Sequence, residues 1–299
     1  MHKFTIFLLS SVCFLVSFVC CFNLEDSQGY AYAPGGTLRP KSCVHTLLEG
    51  EYFHEKLQSG EIVLKHIENS NYTRLLPACL FKAKKVSAQD NGWNVYASTY
   101  TPGGAETSFL ESVWQVPTEP QTKTDQTIFI FNALQPMHFG SEPSIIQPVL
   151  QWGIGSAAPG SIRAWQLACW YVPDGGHTLI SSLKKVSTGD TIKGTMQLST
   201  NSKGNEVWTI IGLDETTNVE TTLHLATNPN ENWQALTLEA YSMESCSQYP
   251  ASGSVSFTDN VAKINGKAFS PSWKSSTPFT NCGESVNINT DGSVTLFWD

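Results

Sequence analysis

Hydrophobic and polar residues alternate along most of the chain from about residue 93 onward. Trp93, Val95 and Ala97 occupy every second position, with polar residues between them. Successive side chains of a β-strand point to opposite faces of its sheet, so this period of two predicts strands with one buried face. The same character recurs in residues 109–116, 127–132, 144–152, 163–172, 191–198, 206–212, 221–225, 233–241, 254–257 and 293–298.

Turn-forming residues separate these segments, among them Pro102-Gly103-Gly104, Asp174-Gly175-Gly176 and Asp291-Gly292. Many short strands with regular turns and no amphipathic helix pattern are typical of a sandwich or a barrel. We therefore expect an all-β fold over residues 91–299. It should be a two-sheet antiparallel β-sandwich of the concanavalin-like jelly-roll kind, preceded by a short N-terminal extension.

The first 21 residues have the pattern of a secretory signal peptide. His2 and Lys3 precede an apolar run over residues 4–20, and a polar stretch follows. Such a segment is removed on export, so we expect a secreted, extracellular protein with no membrane contact after cleavage. A membrane anchor is the alternative, because the apolar run is near the lower limit for crossing a bilayer.

Residues 22–90 differ in pattern from the region that follows. Residues 49–65 are predicted to form one or two short helices. This region is interpreted as an N-terminal extension or propeptide, and a small appended domain is the alternative.

Five cysteines remain beyond residue 21, an odd number for a protein exposed to oxidising conditions. Cys169 lies in an apolar strand pattern and is expected to be buried and free. The expected disulfides are Cys43–Cys79 and Cys246–Cys282, although sequence alone does not determine connectivity. Asn71-Tyr72-Thr73 is a glycosylation sequon, which makes Asn71 the predicted acceptor.

The charge balance and the missing motifs exclude several functions. Of 18 basic and 26 acidic residues, 9 basic and 18 acidic residues lie beyond residue 90. An acidic body disfavours nucleic-acid binding and fits either an acid-acting protein or an ordinary secreted surface. The sequence contains no G-x-S-x-G, H-E-x-x-H or P-loop motif, and His138, His177 and His224 lack ligand spacing. We expect no metal and no cofactor.

Two predicted strands carry polar residues of possible chemical use. In residues 144–152, alternation places Gln147 and Gln151 on one face and aliphatic residues on the other. In residues 233–241, Thr237, Glu239 and Tyr241 share a face. A glutamate in mid-strand among apolar neighbours is costly to desolvate unless it has a partner or a purpose.

These strands resemble motifs of the glutamic peptidases, or eqolisins. The first family motif has the form I-L-Q-x-G-V, and residues 145–150 are similar to it with Gln147 at the catalytic position. The second is W-I-V-E, and residues 236–239 are similar to it with Glu239 at the catalytic position. Two departures stand out: Val149 replaces the glycine of the first motif, and Leu236 replaces the tryptophan of the second.

The resemblance implies a secreted, acid-acting endopeptidase with a sandwich fold. Glu239 would serve as general base on a water molecule, and Gln147 would donate its amide N–H to the oxyanion. A polypeptide would bind across the mixed face beside Trp152, Trp170, Tyr241 and Gln151, although alternation puts Trp152 on the core side. We expect a monomer.

A non-catalytic lectin-like or adhesion sandwich, binding extracellular carbohydrate or protein, is the alternative function. The two hypotheses differ in geometry. A peptidase needs its amide and its carboxylate to converge on one water molecule, whereas a lectin does not.

Overall fold

The computed structural model describes residues 29–81, 84–85, 92–137, 144–201, 204–226 and 230–299. The predicted signal peptide and His138 therefore lie outside the described residues. Within these ranges the chain forms strands and three short 3-10 turns, with no α-helix. The strands are β1 (Tyr30–Ala33), β2 (Thr37–Pro40), β3 (Val44–Thr46), β4 (Glu51–Lys56), β5 (Ile62–His66), β6 (Thr73–Leu76), β7 (Lys84–Lys85), β8 (Trp93–Tyr100), β9 (Thr107–Gln115), β10 (Thr127–Gln135), β11 (Ser144–Trp152), β12 (Gln166–Pro173), β13 (Thr178–Ile180), β14 (Lys184–Lys185), β15 (Thr191–Thr200), β16 (Glu206–Asp214), β17 (Val219–Leu225), β18 (Trp233–Tyr241), β19 (Ser254–Ile264), β20 (Lys267–Phe269), β21 (Lys274–Ser276), β22 (Ser285–Ile288) and β23 (Val294–Phe297).

Two large sheets face each other. The front sheet has the order β21-β8-β18-β10-β11-β12-β13-β3, and β14 pairs with β12. The back sheet has the order β22-β23-β19-β9-β15-β16-β17-β4-β5-β6, and β20 pairs with β19. The described pairs are antiparallel except for β3 beside β13 and β4 beside β17, which are parallel. The predicted all-β, two-sheet sandwich is thereby confirmed.

The main core lies between the two sheets and follows from the alternation of their strands. Inward residues of the front sheet, such as Leu150 and Leu238, pack against Trp114 and Phe257 of the back sheet. A second cluster continues this layer around Trp208 and includes Cys169. Both faces of the central front strands are nevertheless buried, because a further layer covers the outer face.

That outer layer is the N-terminal segment, which we define as residues 29–81 together with β7. Its strands β1, β2 and β7 form a small sheet of their own. Ala31 and Ala33 of β1 pack on Phe129, Phe131 and other outward residues of the front sheet. The segment also extends both large sheets, since β3 joins the front sheet and β4 to β6 join the back sheet.

The helices predicted for residues 49–65 are wrong. The structure has the antiparallel strands β4 and β5 there, with Tyr52 opposite Lys65 and Phe53 opposite Leu64. Buried and partly exposed residues alternate at the start of β4, which is strand periodicity. The parallel pairing of β4 with β17, distant in sequence, settles the conformation.

Both predicted disulfides are present. Cys43 and Cys79 have a Cα–Cα distance of 5.8 Å, and Cys246 and Cys282 one of 5.4 Å. Cys169 is free and buried, as predicted. The described part of the chain has no helix of the length and hydrophobicity needed to span a bilayer.

Candidate functional site

Glu239 lies near the end of β18, on the outer face of the front sheet. Alternation along β18 directs Leu236 and Leu238 into the inter-sheet core and turns Thr237, Glu239 and Tyr241 outward. The Glu239 side chain is fully buried, with no exposed surface. What covers it is the N-terminal segment and not the sandwich itself.

The loop between β1 and β2 closes directly over the Glu239 carboxylate. The backbone N–H of Gly35 donates to Oε2 at 2.9 Å, and that of Gly36 donates to Oε1 at 2.7 Å. The Tyr241 hydroxyl also donates to Oε1. Burial raises the pKa of Glu239 to about 7, and these three hydrogen bonds limit the rise. Glu239 is thus a basic carboxylate whose two oxygens are both held by donors.

Glycine is required in this loop for steric reasons. Gly35 and Gly36 have φ angles of 102° and 80°, in the region that side chains disfavour. A Cβ atom on Gly35 would lie 2.8 Å from Cγ2 of Ile145 on β11. The backbone can therefore approach the sheet closely enough to reach Glu239 only because both residues lack side chains.

Aromatic rings surround the carboxylate. Tyr32 of β1 stacks on Tyr241, with ring centroids 3.9 Å apart and an interplanar angle of 12°. Phe129 of β10 lies edge-on to Tyr241, at 6.2 Å between centroids, and to Trp170 of β12, at 6.4 Å. These rings exclude water and so contribute to the raised pKa of Glu239.

The register of the front sheet places Gln151 in the same row as Glu239. Phe129 of β10 pairs with Glu239 on one side and with Gln151 of β11 on the other. Two strand spacings separate the Cα atoms of Glu239 and Gln151, roughly 10 Å. Gln147 shares the outer face but lies four residues away along β11, opposite Trp170 of β12. The geometry therefore favours Gln151 over the predicted Gln147 as the amide that faces Glu239.

The sequence contains a signal for Gln151 that the alignment on Gln147 missed. The family form I-L-Q-x-G-V also fits residues 149–154, where Gln151 is followed by Trp152 and then Gly153. Gly153 has a φ of 108°, and a Cβ atom there would lie 2.2 Å from the Gln126 carbonyl oxygen. The glycine after Gln151 thus has a structural reason, whereas aligning on Gln147 leaves the motif's glycine position filled by Val149.

The two glutamines differ in their hydrogen bonds. Nε2 of Gln151 donates to the Ser161 hydroxyl at 3.2 Å, and its Oε1 has no hydrogen-bond partner among the described residues. Neither side-chain polar atom of Gln147 has a partner in that part of the chain, although both are buried. Buried amides are costly to leave unpaired, so these two glutamines are polar groups that the described residues leave incompletely bonded.

The predicted substrate-binding residues do not all lie on this face. Tyr241 contacts Glu239, and Trp170 lies under the N-terminal segment on the outer face. Trp152 is fully buried in the inter-sheet core, so its assignment to the substrate site is wrong. Strict alternation along β11 turns Trp152 to the side opposite Gln151.

The other predicted sites lie outside this face. Asn71 is exposed in the turn between β5 and β6, which leaves glycosylation a prediction. His177 and His224 belong to different sheets. Over the residues that the structure describes, no three side chains of His, Cys, Asp or Glu are grouped to hold a metal ion.

Solved structures similar to this chain include three glutamic peptidase complexes. Scytalido-glutamic peptidase with a transition state analog inhibitor is 12% identical, with a TM-score of 0.47, 68% of this chain covered and 97% of that chain. The same enzyme with a peptide-based analog is 13% identical, with a TM-score of 0.48 and 69% and 98% covered. The eqolisin SCP-B with the tripeptide Ala-Ile-His is 12% identical, with a TM-score of 0.46 and 69% and 98% covered.

No family model and no curated protein matches the chain. The assignment of a function therefore depends on the site's own residues.

Proposed function

We propose that the protein is a secreted, acid-acting endopeptidase made as a proenzyme, in which Glu239 and Gln151 hydrolyse peptide bonds. One observation carries this proposal: a buried carboxylate and an amide share one row of the front sheet, beneath the N-terminal segment. A polypeptide is the expected substrate, and the chemistry needs no cofactor.

The proposed mechanism has one base and one oxyanion donor. After the N-terminal segment leaves, a water molecule replaces the Gly35 and Gly36 N–H groups beside Glu239. Glu239 takes a proton from this water molecule as the water oxygen attacks the scissile carbonyl carbon. The Gln151 amide N–H stabilises the resulting oxyanion. Glu239 then gives the proton to the amine nitrogen as the C–N bond breaks, which returns the carboxylate to its starting form.

The covering segment supports the assignment of residues 22–90 as a propeptide. Its strands pair with the large sheets only at their edges, because β3 ends the front sheet and β4 to β6 end the back sheet. Its departure would leave the pairing of the remaining central strands unchanged. These strands are β8, β18, β10, β11, β12 and β13 of the front sheet and β9, β15, β16 and β17 of the back sheet. We also propose cleavage of residues 1–21 on export, glycosylation at Asn71 and a monomeric mature enzyme.

The decisive experiment is digestion of casein at pH 3–4 by acid-incubated protein. Glu239→Gln should lower activity by about 100- to 10,000-fold, the usual contribution of a general base. Gln151→Ala should lower it by about 100- to 1,000-fold, as expected for an oxyanion donor. Gln147→Ala should lower it by less than about tenfold, since Gln147 lies in a different row.

A matched control is Glu231→Gln, which makes the same isosteric change at a buried glutamate remote from the site, and it should keep activity. Full activity in Glu239→Gln would contradict the proposal and leave the lectin-like function. Loss in Gln147→Ala with retention in Gln151→Ala would restore Gln147 as the donor. Acid incubation should also shorten wild type by the length of the propeptide but leave Glu239→Gln at full length.

A further inference from the structure

We propose that the face of the Tyr241 ring is a substrate subsite for an aromatic side chain, and that the Tyr32 ring of the N-terminal segment occupies this subsite while the segment is docked. This inference rests on the proposed function and adds a substrate preference to it. The substrate class is a polypeptide with Tyr, Phe or Trp close to the scissile bond.

The Tyr241 ring is fixed in position. Its hydroxyl donates to Glu239, and Gly92 packs against the ring so closely that a Cβ there would lie 2.3 Å from Cζ. Tyr32 covers a face of this ring, nearly parallel at 12°. Removal of the segment would therefore expose one flat aromatic face directly beside the catalytic carboxylate.

The space next to this stack is large enough for a substrate side chain. A cavity of about 410 Å³ adjoins Tyr32 and Tyr241, and its wall includes Met243, Tyr249, Phe279 and the Cys246–Cys282 disulfide. The wall also holds polar residues, so the cavity has both apolar and polar sides: Asn94, Ser242, Glu244, Ser245, Asn281 and Glu284. The cavity borders the position that the Tyr32 ring occupies against Tyr241, so departure of Tyr32 would join that position to the cavity.

Stacking geometry is the reason for an aromatic preference. Aromatic pairs gain energy beyond that of burial alone, and a flat ring covers another ring more completely than a branched aliphatic group does. Tyr32 precedes by three and four residues the glycines that contact Glu239. An aromatic residue a few positions from the scissile bond would reach the same ring.

The preference of this subsite for an aromatic ring can be measured in the full chain without catalysis. Hydrogen exchange of the Gly35 and Gly36 amides at pH 7 reports how often the loop leaves Glu239. Tyr32→Phe keeps the ring and should exchange more slowly than the aliphatic variant. Tyr32→Leu, a matched aliphatic control, should exchange roughly 2- to 12-fold faster through loss of stacking, and Tyr32→Ala on the order of 100-fold faster.

The second arm maps cleavage sites of the acid-matured enzyme in a peptide library. Aromatic residues should be enriched at one fixed position, and Tyr241→Leu should remove that enrichment. Cleavage without aromatic enrichment would overturn the subsite and leave the peptidase intact. Absence of all cleavage would reject the peptidase function. The hydrogen-exchange series of Tyr32 variants would then be the test of whether the Tyr241 face prefers an aromatic ring. Equal exchange rates in Tyr32→Leu and wild type would reject a subsite that prefers an aromatic ring.

Discussion

Glu106 and Glu231 are two carboxyl groups that the fold buries away from the candidate site. Burial raises the pKa of Glu231 well above its usual value, and the nearby Glu106 raises it further. Burial raises the pKa of Glu106 to about 7, with a smaller contribution from Glu206. Neither Glu231 oxygen has a hydrogen-bond partner among the described residues. The fold thus favours the protonated form of both groups.

This pair predicts that the protein is more stable in acid than at neutral pH. A carboxyl with a raised folded-state pKa contributes stability that is complete below its unfolded value, about 4.5, and is lost as the pH rises through the folded value. Glu231→Gln removes the ionisation and should raise the free energy of unfolding at pH 7 by roughly 1–3 kcal/mol, with little change at pH 4. Urea unfolding at both pH values measures this difference.

Glu244→Gln, at an exposed glutamate, is the control and should leave stability unchanged at both pH values. An equal effect of Glu231→Gln at pH 4 and pH 7 would show that Glu231 is not protonated by the fold.

The parallel pair of β3 and β13 attaches the N-terminal segment to the front sheet and has two histidines beside it, His45 within β3 and His177 directly before β13. The ring centroids of His45 and His177 are 4.9 Å apart. Burial, with smaller contributions from His177 and Arg74, lowers the pKa of His45 to about 4. Burial also lowers the pKa of His177, helped by Lys56 and opposed by the Pro77 carbonyl. Glu51 faces this region too, but it is paired with Arg74.

Acid should therefore loosen this attachment. The neutral forms of the histidines are favoured while β3 is docked, so docking weakens as the pH falls from about 6.5 towards 4. Glu239 acts in the opposite direction, since its pKa of about 7 in the covered state means that protonation favours closure. In the Glu239→Gln variant, which lacks this opposing effect, hydrogen exchange of the β3 amides, corrected for intrinsic rates, should show at least about tenfold more opening at pH 4 than at pH 7.

Two variants separate these effects. The double variant His45→Asn with His177→Asn should keep only the Glu239 effect and open less at pH 4 than at pH 7, whereas Glu239→Gln should keep only the histidine effect and open more. The same pH dependence in all three proteins would show that neither the histidines nor Glu239 controls docking.

Individual strands were largely predictable from the sequence, and their register was not. The alternation in residues 144–152 and 233–241 predicts β11 and β18 with their full bounds and correct faces, because both strands bury one face between the sheets. Alternation gives no information on which residues of adjacent strands pair. Gln151 and Gln147 share a face, so only the pairing through Phe129 distinguishes them.

Contacts distant in sequence explain what the local pattern missed. Strand β4 exists beside β17, whose residues follow it by more than 150 positions. The cover over Glu239 depends on Gly35 and Gly36, which the sequence marks only as a turn. Neither the pairing of β4 with β17 nor the contact of the two glycines with Glu239 produces a periodic pattern in the sequence.

At the scale of the whole molecule, the N-terminal segment contacts both sheets. It covers the outer face of the front sheet, extends each large sheet at an edge, and is closed on itself by Cys43–Cys79. A specific protease site inserted within residues 86–91 should therefore give a cut protein that stays together at pH 7. Native mass spectrometry should find the intact mass at pH 7, and in the cut Glu239→Gln variant the free segment should increase by at least about tenfold towards pH 4.

The uncut parent protein under the same conditions is the control. Separation of the two pieces at pH 7 would show that the chain connection, and not the sheet contacts, holds the segment in place.

Under the proposed function, the orientation of the loop over Glu239 has a consequence for storage of the precursor. Gly35 and Gly36 present amide nitrogens to the carboxylate, and their left-handed backbone angles are not those of an extended strand. A general base can activate water only where a carbonyl carbon stands ready for attack. The loop thus fills the reaction centre with groups that hydrolysis cannot use, so the chain resists its own cutting at this point for as long as the segment remains docked.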